Sequence, residues 1–243
     1  MNILRPNEII VLAEKISYGY LKLGSDDAKP CIDVNGIYEE VIYPQYGEFR
    51  LIYGDIYEMD KDGKETWAFT DPIGRVIVLD EQLKDNSRFS FTLAHEFKHV
   101  IDYCQNLNFY DVDEAEREIL EKDADLFAVH LLMPKKFVKL KFKEFFKEEV
   151  MTFRGTGDQY INKRPRYIRS FKEYCWEVAA QITNFFSHVS AQSLSKRLSD
   201  LGLIENIATE EKNDLSFGFA EHRKQQDFSD FQTDFAKNIK EVQ

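Results

Sequence analysis

His95-Glu96-Phe97-Lys98-His99 is the feature that most restricts what this chain can become. Two histidines four residues apart lie one above the other only on an α-helix, so a shared ion requires that segment to be helical. The neighbouring residues predict the helix independently. Phe89, Phe91, Leu93, Ala94, Phe97, Val100 and Ile101 recur at mostly helical spacing behind an N-cap at Asn86-Ser87, giving a helix from about Ser87 to Cys104. With His95 and His99 on one face, both imidazoles can reach one zinc ion, and Glu96 can approach a water on that ion without ligating it. Zinc lowers the pKa of such a water toward ~7, and the glutamate takes its proton as attack begins. The competing reading is a chance pair of surface histidines with a solvated glutamate between them.

A four-coordinate catalytic zinc needs a third protein ligand. The next helical stretch starts near Glu114 and ends at Met133-Pro134, with apolar residues at Ile119, Leu120, Ala124, Phe127, Ala128 and Leu131. In it Glu121 and Asp125 are i and i+4 and share a face. Glu121 can ligate the metal. Asp125 can accept a hydrogen bond from the far nitrogen of a ligand histidine and so fix its tautomer. A solvated acidic face is the alternative. Asp123 competes as ligand but points about 160° away from Glu121 on a helix.

The stretch Arg88-Phe-Ser-Phe-Thr-Leu-Ala-His-Glu-Phe-Lys-His99, followed by Glu121-Lys-Asp-Ala-Asp-Leu-Phe-Ala-Val-His-Leu-Leu-Met-Pro134, resembles the ImmA/IrrE metallopeptidases, thermolysin-like gluzincins. The resemblance is specific over about residues 71–134. Lys98 stands where the family usually has glycine, adding a bulky cation near the site, and Asp125 stands where asparagine is common. The resemblance implies Zn2+ held by His95, His99 and Glu121, with Glu96 as general base. It also implies an α+β fold: a zincin-like metallopeptidase domain over 1–150, with a small sheet packed on the active-site helix, then a helical, helix-turn-helix-like module over 151–205. A polar tail at 206–243 completes the division. The implied activity is intracellular endoproteolysis of a protein substrate, a helix-turn-helix transcriptional repressor.

Residues Ile182 to Ile204 are similar to the family's C-terminal segment, which resembles a helix-turn-helix. DNA could then be met through Ser190 to Arg197, helped by Lys163-Arg164-Pro165-Arg166 and Arg169. A helical packing module is favoured instead, because 32 Lys and Arg stand against 43 Asp and Glu, a net charge of −11. From another functional class, the chain could be a DNA- or protein-binding regulator whose metal site is structural or lost.

The rest of the chain reads more simply. Pro6 to about Tyr20 suits an amphipathic helix. Phe49–Tyr53, Glu65–Thr70 and Arg75–Leu79 suit short strands joined as antiparallel hairpins. Phe137–Val150 is amphipathic, Phe153–Tyr160 suits a loop, and the pattern from Pro165 onward is helical, with two short helices within 182–201. His130 suits a packed histidine, Cys104 suits the core, and His188 and His222 have no partner visible in sequence. Three cysteines without a CxxC pair point to a reducing compartment. The N-terminal residues lack a signal-peptide pattern and no run approaches ~18 apolar residues, so a soluble cytoplasmic protein without a membrane partner is expected.

Overall fold

The computed structural model describes residues 4–56, 66–84, 86, 88–107, 112–186 and 189–208. The expected polar tail lies almost wholly outside these residues, as do His188 and His222.

Helix α1 (Pro6–Leu21) starts on a proline, whose missing N–H costs nothing in a first turn, and stops at Lys22 in the left-handed conformation. Two short helices, α2 (Val34–Ile37) and α3 (Tyr43–Tyr46), flank a π-helical turn at Tyr38–Ile42. Strands β1 (Arg50–Gly54), β2 (Ala68–Asp71) and β3 (Val76–Asp80) form one sheet in the order β1-β3-β2. The β2–β3 pair is the antiparallel hairpin expected, closed by Asp71, whose Oδ1 accepts from the backbone N–H groups of Ile73 and Gly74. The β1–β3 pair is parallel, which corrects the all-hairpin expectation. The long segment between β1 and β2 lets β3 return into the central position, where Ile77 and Leu79 are fully buried.

Helix α4 (Phe89–Cys104) follows, entered through Asn86, whose Oδ1 accepts from the Arg88 N–H. Helix α5 (Glu114–Leu132) opens with a capping box in which Asp113 and Glu116 satisfy each other's backbone N–H groups. Helix α5 packs between α1 and α4, and α4 also packs on β2. Ser17 donates to the Leu131 carbonyl at 2.6 Å, tying α1 to the end of α5.

Helix α6 (Lys135–Phe146) buries Phe137, Val138, Phe142 and Phe146. Beyond it the structure departs from the expected loop and helices. Strand β4 (Met151–Phe153) pairs in parallel with β7 (Ile204–Asn206), and β5 (Gly157–Ile161) pairs antiparallel with β6 (Arg164–Ile168). The β5–β6 turn is two residues, Asn162 and Lys163, both with positive φ, the backbone that matches hairpin twist. Neither is glycine, so the turn was hard to read in sequence. Helices α7 (Phe171–Ala180) and α8 (Ala191–Asp200) start on the capping serines Ser170 and Ser190. One continuous apolar core runs from Ile9 to Ile204. The molecule is thus mixed α+β, with small sheets and several helices. Among the described residues no helix is long and apolar enough to cross a membrane.

Candidate metal centre

The HExxH segment lies in the middle of α4 because its apolar residues face the core on both sides of the motif: Leu93, Ala94, Phe97, Val100 and Ile101 are fully buried. His95 and His99 then emerge on the side facing α5, with only 15% and 11% of their side chains exposed. Their Nε2 atoms are 3.1 Å apart. Glu121 of α5 approaches both, Oε2 at 3.2 Å from His95 Nε2 and Oε1 at 3.5 Å from His99 Nε2. One ligand atom from each of the three residues lies within 4.8 Å of the others, so this group could hold a metal ion. Ligand atoms ~2.0–2.1 Å from a tetrahedral ion stand about 3.4 Å apart, close to the three separations observed. Imidazole nitrogens with one carboxylate are a donor set suited to zinc.

Asp125, one turn beyond Glu121, has Oδ1 2.8 Å from His95 Nδ1. A proton on that nitrogen donates to the carboxylate and leaves the Nε2 lone pair directed at the cluster. Burial alone would lower the His95 pKa, but hydrogen bonds to Asp125 and Glu121 outweigh it and hold it well above the usual histidine value. Desolvation likewise pushes Glu121 up, and its contacts with His95 and His99 outweigh that and hold it well below the usual carboxylate value. Both shifts express the same demand: two imidazoles and a carboxylate, drawn together, bind positive charge.

Glu96 is only 4% exposed, and its Oε2 accepts a hydrogen bond from Thr70 Oγ1 at 2.8 Å. One carboxylate oxygen is thereby fixed by the strand. Thr70 belongs to edge strand β2, 26 residues upstream, and no spacing rule connects the two in sequence.

Lys98 is where the expectation changes most. It is 1% exposed and turns into the interface between α4 and α5, where Nζ donates to both oxygens of Asp102 at 2.6 Å. Asp123 lies in the same interface, 7% exposed, with Oδ2 buried and unbonded. Desolvation raises its pKa to about 6, against the pull of Lys98. Asp123 is therefore on the inward side of α5, away from the His95, His99 and Glu121 group, as helical geometry requires. Cys104 is exposed, not in the core, because α4 is already ending when it is reached. His130 is packed beside Arg197, with Nη2 3.2 Å from its Nδ1.

Residues 50–155, from the first strand through β4, match the family model for the IrrE N-terminal-like domain, peptidase family M78. No curated protein matches the chain. The motif-bearing helix, its edge strand and the glutamate-bearing helix all fall inside that match, which supports the resemblance of this part of the chain to the ImmA/IrrE metallopeptidases.

Proposed function

We propose that the protein is a zinc-dependent endopeptidase that hydrolyses a peptide bond in a protein substrate, a helix-turn-helix transcriptional repressor. The observation that carries the reading is the convergence of His95, His99 and Glu121 from two helices, with Glu96 alongside on a fixed hydrogen bond. The match to a metallopeptidase family supports the reaction class, and the repressor rests on the resemblance of the two helical stretches alone.

His95, His99 and Glu121 would hold the metal, and Asp125 would keep His95 in the ligating tautomer. Zinc bound there supplies Lewis acidity, acidifying a water and polarising the scissile carbonyl. Glu96 takes a proton from the attacking water and later delivers it to the leaving amine. Thr70 occupies one Glu96 oxygen and leaves the other for that proton. The test compares wild type, Glu96→Gln and Glu121→Gln. Glu96→Gln should keep about one zinc per chain and lose about 10³-fold in cleavage rate of the repressor encoded nearby. Glu121→Gln should lose both metal and cleavage. Full cleavage by Glu96→Gln would overturn the mechanism.

A further inference from the structure

The β1-β3-β2 sheet has two faces, and the strand registers sort its side chains between them. The row Leu51–Ile77–Thr70 turns inward: Ile77 is fully buried and Thr70 reaches Glu96 on α4. Successive side chains alternate, so the rows Arg50–Val76–Asp71 and Ile52–Val78–Phe69 point the other way. A sheet with one solvated face normally turns polar side chains outward. Here the row Ile52–Val78–Phe69 is apolar on all three strands, with Ile52 and Phe69 40% and 41% exposed. Ile73, in the β2–β3 turn, is 88% exposed. Apolar side chains gathered in water in this way mark an interaction surface.

The charges in the adjoining row indicate what covers it. Arg50 lies on one edge strand and Asp71 on the other, each opposite Val76. About 9.6 Å of sheet separates their backbones. Neither has an ion-pair partner among the described residues. Two sheets pack face to face with nearly aligned strands, about 10 Å apart. A two-fold axis along β3, midway between two such faces, exchanges β1 and β2. It sets Arg50 of each copy over Asp71 of the other, Ile52 over Phe69, and Val78 over Val78. The face is therefore complementary to itself in charge and in apolar contact, as an isologous dimer requires. A partner of uniform charge would satisfy only one of Arg50 and Asp71. The face measures about 14 Å by 17 Å. That is well under the ~800 Å² per partner of a stable interface, so the association is weak.

We propose that the outward face of the β1-β3-β2 sheet is a self-association surface. A second copy of this chain packs on it through Ile52, Val78 and Phe69, with reciprocal Arg50–Asp71 pairs. The inference does not rest on the peptidase reading. Sedimentation equilibrium of the full chain tests it at ~0.15 M salt, where a Debye length of ~8 Å screens the repulsion between two chains of net charge −11. Wild type should dimerise reversibly with a Kd of about 100 µM. Ile52→Lys/Phe69→Lys should stay monomeric to about 1 mM with its far-UV circular dichroism unchanged. Arg50→Glu and Asp71→Lys should each weaken association about tenfold. Their equimolar mixture should regain it, since the introduced glutamate and lysine then face each other across the axis. Asp71→Asn keeps the Oδ1 acceptor of the turn and should weaken association about threefold, so the test survives a poorly folded lysine variant. A wild-type chain monomeric to about 1 mM would overturn the proposal. So would a dimer that Ile52→Lys/Phe69→Lys leaves unchanged, or a mixture no better than its components. Retention of the repressor by monomeric wild type and not by Ile52→Lys/Phe69→Lys would assign the face to that substrate and also overturn it.

Discussion

Helix α5 carries two clusters of histidine and carboxylate, and they differ in which group supplies the positive charge. In its first half, Glu121 and Asp125 meet His95 and His99, and every inward-facing atom of the ligand group is a lone-pair donor to a cation. Near its end, His130 Nδ1 lies 3.6 Å from Glu14, and Arg197 of α8 enters between them. The Arg197 guanidinium contacts His130 at 3.2 Å and Glu14 at 3.7 Å, and its Nε donates to the Met133 carbonyl at 3.1 Å. Arg197 is 7% exposed: it is turned into the protein and closes α8 onto α1 and α5, as the favoured packing reading of this segment has it, and does not offer its guanidinium to DNA. Burial first, and the guanidinium second, push the His130 pKa down to about 3, the opposite direction from His95. A histidine beside a carboxylate is left open to an added cation only where the chain has not already provided one.

The largest break of this comparison should come from Arg197→Ala. Removing the buried guanidinium leaves the part-buried Glu14 and the Met133 carbonyl without their partner and should lower stability by about 3 kcal/mol in urea denaturation, while zinc content per chain stays the same. Zinc loss equal to that of Glu121→Gln would mean the two clusters are not separate. Asp125→Asn acts at the other cluster. It should weaken zinc binding about 10–100-fold in a chelator competition, since an amide can present its NH2 to the His95 nitrogen and favour the wrong tautomer. Thr70→Val should reduce kcat about tenfold at unchanged zinc content, because the Glu96 carboxylate loses a bond of the charge-assisted kind. Thr70→Ser should recover most of that rate, and a Thr70→Val enzyme as fast as wild type would remove Thr70 from the mechanism.

The smallest effect concerns pH. Asp123 in the fold keeps its proton up to about 6, above the ordinary aspartate value of 3.8. The folded chain therefore binds more protons than the unfolded one between these values, and Asp123 makes stability fall as pH rises through that window, with the cost complete above it. Asp123→Asn should remove this slope and raise stability above pH 7, read as a higher urea midpoint there and an unchanged one near pH 4. An unchanged stability–pH curve would show that Lys98 offsets both the burial of Asp123 and the repulsion from Asp102 in the interface.

The helices around the site were legible because apolar period, caps and prolines are local. Pro6, Asp113 with Glu116, and Pro134 each mark a boundary that the structure keeps. The set His95, His99, Glu121 and Asp125 was legible for the same reason, since i and i+4 positions on two helices define two faces. The hairpin at 157–168 was not, because its turn uses Asn162-Lys163 and its strands carry Arg164, Pro165 and Arg166 in place of β-branched residues. Thr70 was invisible for a different reason: its partner lies on another element, and the parallel β1–β3 pairing that makes β2 an edge follows from chain connection, not residue preference.

Sequence alone determined which side chains share a helix face, because 3.6 residues per turn leaves no freedom in that matter. Only the tertiary structure decided what each face meets. It set Glu121 against two imidazoles, Lys98 against Asp102 and Arg197 against His130, because desolvated charge must find its opposite wherever packing brings one within reach.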